Sequence, residues 1–187
     1  MISLHATKPL PAGEGAILIG PSDWIRRALV WSNFGFDGRR FADAPGTNAK
    51  LSEYHCAVAL ASLDRWPDRV VTQRRLVERA SQVTASLGMQ TAPGMARGFV
   101  SNTWIIQFAD ISVVPTISQL LRGRGIDTRT WWPAGLHEMA AFCSLDHDNM
   151  AVTKRLVATT LGLPFGSHLR EDDYSKIMEV LATGLRT

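Results

Sequence analysis

An α/β fold is predicted by three observations made along the chain. Two short extended segments lie within residues 1–20. Helical spacing of apolar residues then dominates from about 24 to 87. From about residue 90, strand-like and helix-like segments alternate. With 187 residues, 45% of them hydrophobic and 20% charged, the chain is long and apolar enough to bury a substantial core.

Each element follows from local chemistry. The first two strands are joined by Pro9-Leu10-Pro11-Ala12-Gly13, where the prolines remove donors and the glycine permits a turn. Ser22-Asp23 is suited to capping a helix over Trp24 to Asn33, with Ile25, Ala28, Leu29 and Trp31 as its apolar positions. Residues 33–46, rich in Gly, Asp and Pro, form a long loop of the kind that carries function. Ser52 caps a helix to about Leu63 whose small side chains suggest burial on most sides. A longer amphipathic helix covers Pro67 to Leu87, with Val70, Val71, Leu76, Val77, Ala80 and Val83 inward.

Residues 88–98 read as a linker. Beyond it, Phe99-Val100 and Thr103 to Phe108 read as strand, Val113 to Arg122 as helix and Thr128 to Trp132 as a second strand. Met150 to Leu161 is expected to be helix, residues 162–165 a short strand and Glu171 to Leu185 the last helix. The resulting division is 1–88 and 89–187.

Bulk properties exclude several function classes. No apolar run reaches 18 residues and no basic-then-apolar leader opens the chain, so neither a membrane span nor a signal peptide is expected. The two cysteines, Cys56 and Cys143, give no disulfide framework, and a reducing cytoplasm fits them. The formal charge is +3. Its arginines are spread over helix faces without interleaved aromatics or a binding module, which argues against a nucleic-acid interface. The histidines and cysteines show neither Cys-x-x-Cys nor His-Glu-x-x-His spacing, so no metal is expected.

The most informative segment is Ser3-Leu4-His5-Ala6-Thr7-Lys8, followed by Gly13-Glu14-Gly15. A second block is Gly46-Thr47-Asn48-Ala49-Lys50-Leu51-Ser52-Glu53-Tyr54-His55-Cys56-Ala57, and weaker ones are Asn33-Phe34-Gly35-Phe36-Asp37-Gly38, Gly125-Ile126-Asp127-Thr128-Arg129, His137 and Leu161-Gly162-Leu163-Pro164. In this content and order they resemble the DegT/DnrJ/EryC1/StrS family of sugar aminotransferases, which use pyridoxal 5′-phosphate (PLP).

The resemblance implies the end of a type I PLP-transferase large domain, aspartate aminotransferase-like, followed by a small C-terminal α/β domain. It implies that Lys8 forms the Schiff base with the cofactor and moves protons. A deprotonated lysine amine is both nucleophile and base. It further implies that Ser3 binds the cofactor phosphate, that His5 sits beside the site, and that Asn48 reaches the phosphate of a neighbouring subunit in a homodimer. Phe34, Arg129 and His137 fall where the family faces substrate. Reactants would be a nucleotide-linked keto-deoxysugar and an amino-acid donor. A dehydrating branch of the family carries histidine in place of the lysine, so Lys8 favours transamination.

In that family the motif lies near mid-chain, and the residues before the lysine supply an aspartate for the pyridine nitrogen and a ring-stacking side chain. The chain therefore reads as a carboxyl-terminal half, expected to be marginal, oligomeric or aggregation-prone unless the amino-terminal half is supplied. The alternative is a non-catalytic truncated remnant, or the assembly half of a split enzyme.

Overall fold

The computed structural model describes residues 1–96, 100–131 and 134–186. Backbone contacts divide it into two compact units, Met1–Arg69 and Val70–Thr187. The break falls inside a helix, earlier than the residue 88 of the sequence reading.

In the first unit, β1 (Ile2–Ser3) pairs antiparallel with β2 (Ala16–Ile17), in the register Ile2↔Ile17 and Ser3↔Ala16. The two prolines between them cannot donate, so the turn is closed by other bonds. Leu4 N donates to Gly15 O, Ala6 N to Gly13 O and Ala12 N to Leu4 O, at 2.9, 2.7 and 2.7 Å. Leu4, 2% exposed, and Ala12 fill the inside of this hairpin.

The helix α1 (Ser22–Ser32) begins earlier than expected. Pro21 occupies the N-cap, and Ser22 lies within the helix rather than capping it. A loop with bridges Asn33↔Asn48 and Phe36↔Ala42 leads to α2 (Glu53–Asp64), where the Ser52 hydroxyl accepts from His55 N as a cap should. The expectation that α2 is buried on most sides fails. None of its residues is buried, and Tyr54, Leu60 and Leu63 are open to solvent, Tyr54 to 75%. Small residues allow close approach but do not create a neighbour, and no other element of this unit covers that face.

The long helix α3 (Trp66–Ser86) carries the chain into the second unit, burying Val77, Ala80, Val83 and Thr84. Val71, expected inward, is exposed. The segment read as linker holds β3 (Gln90–Thr91) and the short α4 (Pro93–Ala96). Next come β4 (Trp104–Gln107), α5 (Val113–Gly123), a 3-10 turn at Leu136–Glu138, α6 (Ala151–Thr159), β5 (Thr160–Leu163) and α7 (Glu171–Gly184). The sheet order is β3-β4-β5, antiparallel throughout, with Trp104↔Leu163 and Gln107↔Thr160 at the ends of the central pairing.

Alternation along β4 places Trp104 and Ile106 in the core, against Ile117 and Leu121 of α5, Leu161 and Leu163 of β5, and Ile177 and Leu181 of α7. The buried indole is satisfied. Trp104 Nε1 donates to Thr84 Oγ1 at 3.0 Å, and Thr84 in turn donates to Ala80 O at 2.8 Å. Three sequence expectations are corrected here. Of the strand expected over Thr128 to Trp132, the described residues 128–131 form one bridge, Arg129↔Gly162. The sixth helix stops at Thr159 because Thr160 pairs with Gln107, so β5 begins before residue 162. Val100 is not in a strand, and Phe99 and Trp132 lie outside the described residues.

Candidate functional site

Lys8 closes a turn, its N–H donating to His5 O at 2.9 Å, and its side chain is exposed. Among the described residues its ammonium has neither an ion pair nor a hydrogen-bond partner. The backbone beneath it is held from α2 and the start of α3. Ser62 Oγ donates to Pro11 O at 2.6 Å and Arg69 Nη1 to Pro9 O at 3.3 Å. An amine on a turn held by such bonds is an arrangement able to orient a nucleophile, since the backbone geometry is set in advance.

Ser3 and His5 share the hairpin. His5 N donates to Ser3 Oγ at 3.4 Å, leaving the serine hydroxyl proton free for another acceptor. The imidazole is engaged locally. Thr7 N donates to His5 Nδ1 at 3.2 Å, which places the proton of the neutral ring on Nε2, 3.6 Å from Glu14 Oε1.

The second block packs on this hairpin. The Leu51 side chain lies over Gly15, and the His55 ring lies beside Gly13, with Ser52 Oγ 2.7 Å from His55 Nδ1. Gly15 has φ +120°, and a Cβ there would stand 2.6 Å from Leu51 Cδ1, so glycine admits this contact without backbone strain or displacement of Leu51. Leu51 and His55 lie within the second block, but the sequence assigned neither a role of its own. Their signal was available in the run of the second block into a capped helix beside two glycines, but only the fold brings them to Lys8's turn.

Asn48 is exposed and bridged through its backbone to Asn33; its amide side chain has no partner among the described residues. Phe34, 47% exposed, adopts φ 57°, a left-handed conformation uncommon for a bulky residue. Lys50 Nζ donates to Asn33 Oδ1 at 2.7 Å and stands 4.7 Å from the Phe34 ring centroid.

Arg129 and His137 belong to the second unit. Arg129 exchanges backbone bonds with Gly162 at 3.0 and 2.7 Å, and its side chain is exposed. The His137 side chain is 6% exposed and its ring meets that of His147 edge-on, centroids 5.3 Å apart. Its Nε2 is 3.4 Å from Glu138 Oε1 without a hydrogen bond. Glu138 is held below the usual carboxylate range, chiefly by its hydrogen bond and charge contact with Lys154. Among the described residues, no group of three His, Cys, Asp or Glu could hold a metal, and no helix is long and apolar enough to cross a membrane.

The donors in the first unit suit PLP in part. A free amine matches the cofactor's aldehyde, while a serine hydroxyl and an asparagine amide suit a phosphate.

This architecture is the one found in PLP-dependent aminotransferases. DesI, solved in the presence of its TDP-sugar product, superposes with TM-score 0.81 at 31% identity, over 97% of this chain and 48% of DesI. EpsN of Bacillus subtilis (strain 168), provisionally a pyridoxal phosphate-dependent aminotransferase, is 31% identical over 143 residues, 73% of this chain and 36% of EpsN. The dTDP-3-amino-3,4,6-trideoxy-α-D-glucose transaminase of Streptomyces venezuelae is 23% identical over 176 residues, 89% of this chain and 44% of the enzyme. The profile of the DegT/DnrJ/EryC1/StrS aminotransferase family matches residues 1–182, and the chain belongs to that family. Pyridoxal phosphate is the cofactor that accompanies this membership, and the fold is part of a type I aminotransferase. The chain spans less than half the length of the curated relatives it matches, 44% of the S. venezuelae enzyme and 36% of EpsN.

Proposed function

We propose that this chain is the lysine-bearing carboxyl-terminal portion of a cytoplasmic PLP-dependent aminotransferase. It would act on a nucleotide-linked keto-deoxysugar with an amino-acid donor, as a homodimer completed by an amino-terminal half. The observation that carries the proposal is the unpartnered Lys8 amine on a turn fixed by Ser62 and Arg69. When bound, PLP supplies an electron sink for charge developed at the donor's Cα. Lys8 would hold the cofactor through its Nζ, and the same amine would be the base for the proton at the donor's Cα. Ser3 Oγ and, from a neighbouring subunit, Asn48 hold the phosphate. His5, tied to Thr7 and Glu14, keeps the hairpin in shape beside the amine. Phe34, Arg129 and His137 are assigned to the sugar substrate. The partner for the pyridine nitrogen comes from outside the chain. Residues 1–88 are assigned to the large domain and 89–187 to the small one.

The test is reduction with borohydride after adding PLP to the chain together with its amino-terminal half, followed by peptide mass analysis. The phosphopyridoxyl mass is expected on Lys8 and absent in Lys8→Ala. A label on another side chain, or none, refutes the assignment.

A second reading, an assembly half without catalysis of its own, is favoured by the uncovered apolar residues Trp24, Leu29 and Trp31 of α1 and Tyr54, Leu60 and Leu63 of α2. In that case the amino-terminal half binds, but no label forms on Lys8.

A further inference from the structure

We infer that the cavity of about 400 Å³ at the Gln90↔Gln107 end of the β3–β4 pairing is a binding site for a small ammonium ion that carries an apolar body. Every residue of its lining belongs to the second unit, and none is among those assigned to the cofactor or the sugar, so the inference stands without the aminotransferase reading. The volume lies in the range of about 300–1,000 Å³ found for small-molecule pockets. Its apolar walls are Leu87 and Met89, which follow α3, Phe108 after β4, Val113 at the start of α5 and Leu185 after α7. Gly88 lies between two of these residues at φ +68°, and a Cβ there would meet open space.

The polar part of the lining accepts hydrogen bonds and carries negative charge. Gln90 and Gln107 are paired directly across the two strands, which places both side chains on one face of the sheet. The orientation of the Gln107 amide is settled by its neighbour. Thr159 Oγ1 gives its one proton to Arg155 O at 2.8 Å, so toward Gln107 it can only accept, and Gln107 Nε2 stands 3.5 Å from it as the donor. Gln107 Oε1 is thereby left without a partner among the described residues. Asp110 Oδ1 accepts from Ser112 N at 2.8 Å, and the Ser112 backbone N–H and hydroxyl hold the carboxyl below the usual carboxylate range. Among the described residues of the lining, Asp110 alone is charged. Arg186, next to Leu185, turns its Nε–H to Ala182 O at 3.0 Å and is not part of the wall. A carboxylate and an amide oxygen beside apolar walls complement N–H donors of positive charge on an apolar body, and they repel an anion.

The experiment titrates the 187-residue chain with phenethylamine, phenethyl alcohol and hydrocinnamate at neutral pH and matched ionic strength. The three probes share one apolar body and differ in the charge of the head. The side-chain amides of Gln90 and Gln107 and the methyl groups of Leu87, Met89 and Val113 are followed by NMR. Saturable shifts are expected with the amine, at least tenfold tighter than with the alcohol, and none with the carboxylate. Asp110→Asn keeps an oxygen for Ser112 N, and with it the start of α5, yet should weaken binding of the amine at least tenfold. Ala109 is an exposed residue of the lining, so Ala109→Trp should fill the cavity and abolish binding. No saturable shift with the amine, equal binding of amine and alcohol, binding of the carboxylate, or amine binding unchanged in Asp110→Asn or in Ala109→Trp overturns the inference.

Discussion

Replacing Gly15 by alanine tests whether the second sequence block holds the Lys8 hairpin. Gly15 sits at φ +120°, outside the range of L-residues, and forcing alanine there costs about 1–2 kcal/mol. The new Cβ would also stand 2.6 Å from Leu51 Cδ1. That atom ends a flexible side chain, so Leu51 can swing off its rotamer at a cost of about 0.5–1.5 kcal/mol. Together the two effects predict about 1.5–3.5 kcal/mol of local destabilisation, or roughly a 10- to 400-fold loss of amide protection. The reporters are Leu4 N and Ala6 N, which donate to Gly15 O and Gly13 O across the hairpin. Hydrogen exchange read by NMR measures them directly. Leu51→Ala in the Gly15→Ala background should recover the steric share and leave the backbone share, a pairwise coupling that a double-mutant cycle isolates. Protection of Leu4 and Ala6 within threefold of the unsubstituted chain would refute the reasoning.

Two further outcomes concern the second unit. Thr84→Val keeps the shape but leaves Trp104 Nε1 without its acceptor, so a urea melt should show a loss of about 1–3 kcal/mol, while Thr84→Ser should retain most of the stability. Burial, reinforced by the Glu171 carboxylate and opposed by Arg79, raises the Tyr174 phenol above its ordinary 10.0. Below pH 10 the phenol is protonated both folded and unfolded and causes no loss. Above pH 10 the unfolded chain releases a proton that the folded one keeps, so stability falls by up to about 1.4 kcal/mol per pH unit until the raised value is reached. Tyr174→Phe should abolish that alkaline component in thermal melts taken between pH 9 and 11.

The helices were legible where periodicity and burial agree. For α5 and α7, apolar residues at helical spacing face the sheet, and both were placed within a residue or two of their observed ends. The reading failed where one signal serves two structures. Small apolar residues in α2 suggested burial, yet the sequence of a helix records its capacity to be covered and not whether a cover is present. At 159–160, successive threonines fit either a helix end or a strand start, and the pairing of Thr160 with Gln107 decided it. The expected strand over residues 128–132 had β-branched and aromatic content, yet its described residues, 128–131, form only one bridge, Arg129↔Gly162.

The candidate site divides in the same way. Ser3, His5 and Lys8 lie within six positions, so a motif can name them together. Lys50, Leu51 and His55 could not be read as neighbours of Asn33, Gly15 and Gly13, because those proximities arise only when the loop folds back and the capped helix packs. Leu51 and His55 lie against the hairpin that bears Lys8, and Ser52 ties His55 to the start of α2. Loosening the capped start of α2 is therefore expected to loosen the hairpin on which the amine is presented. Ser52→Ala removes the hydroxyl that accepts from His55 N, so exchange at Leu4 and Ala6 should quicken. Equal exchange with and without the Ser52 hydroxyl would separate the helix cap from the hairpin.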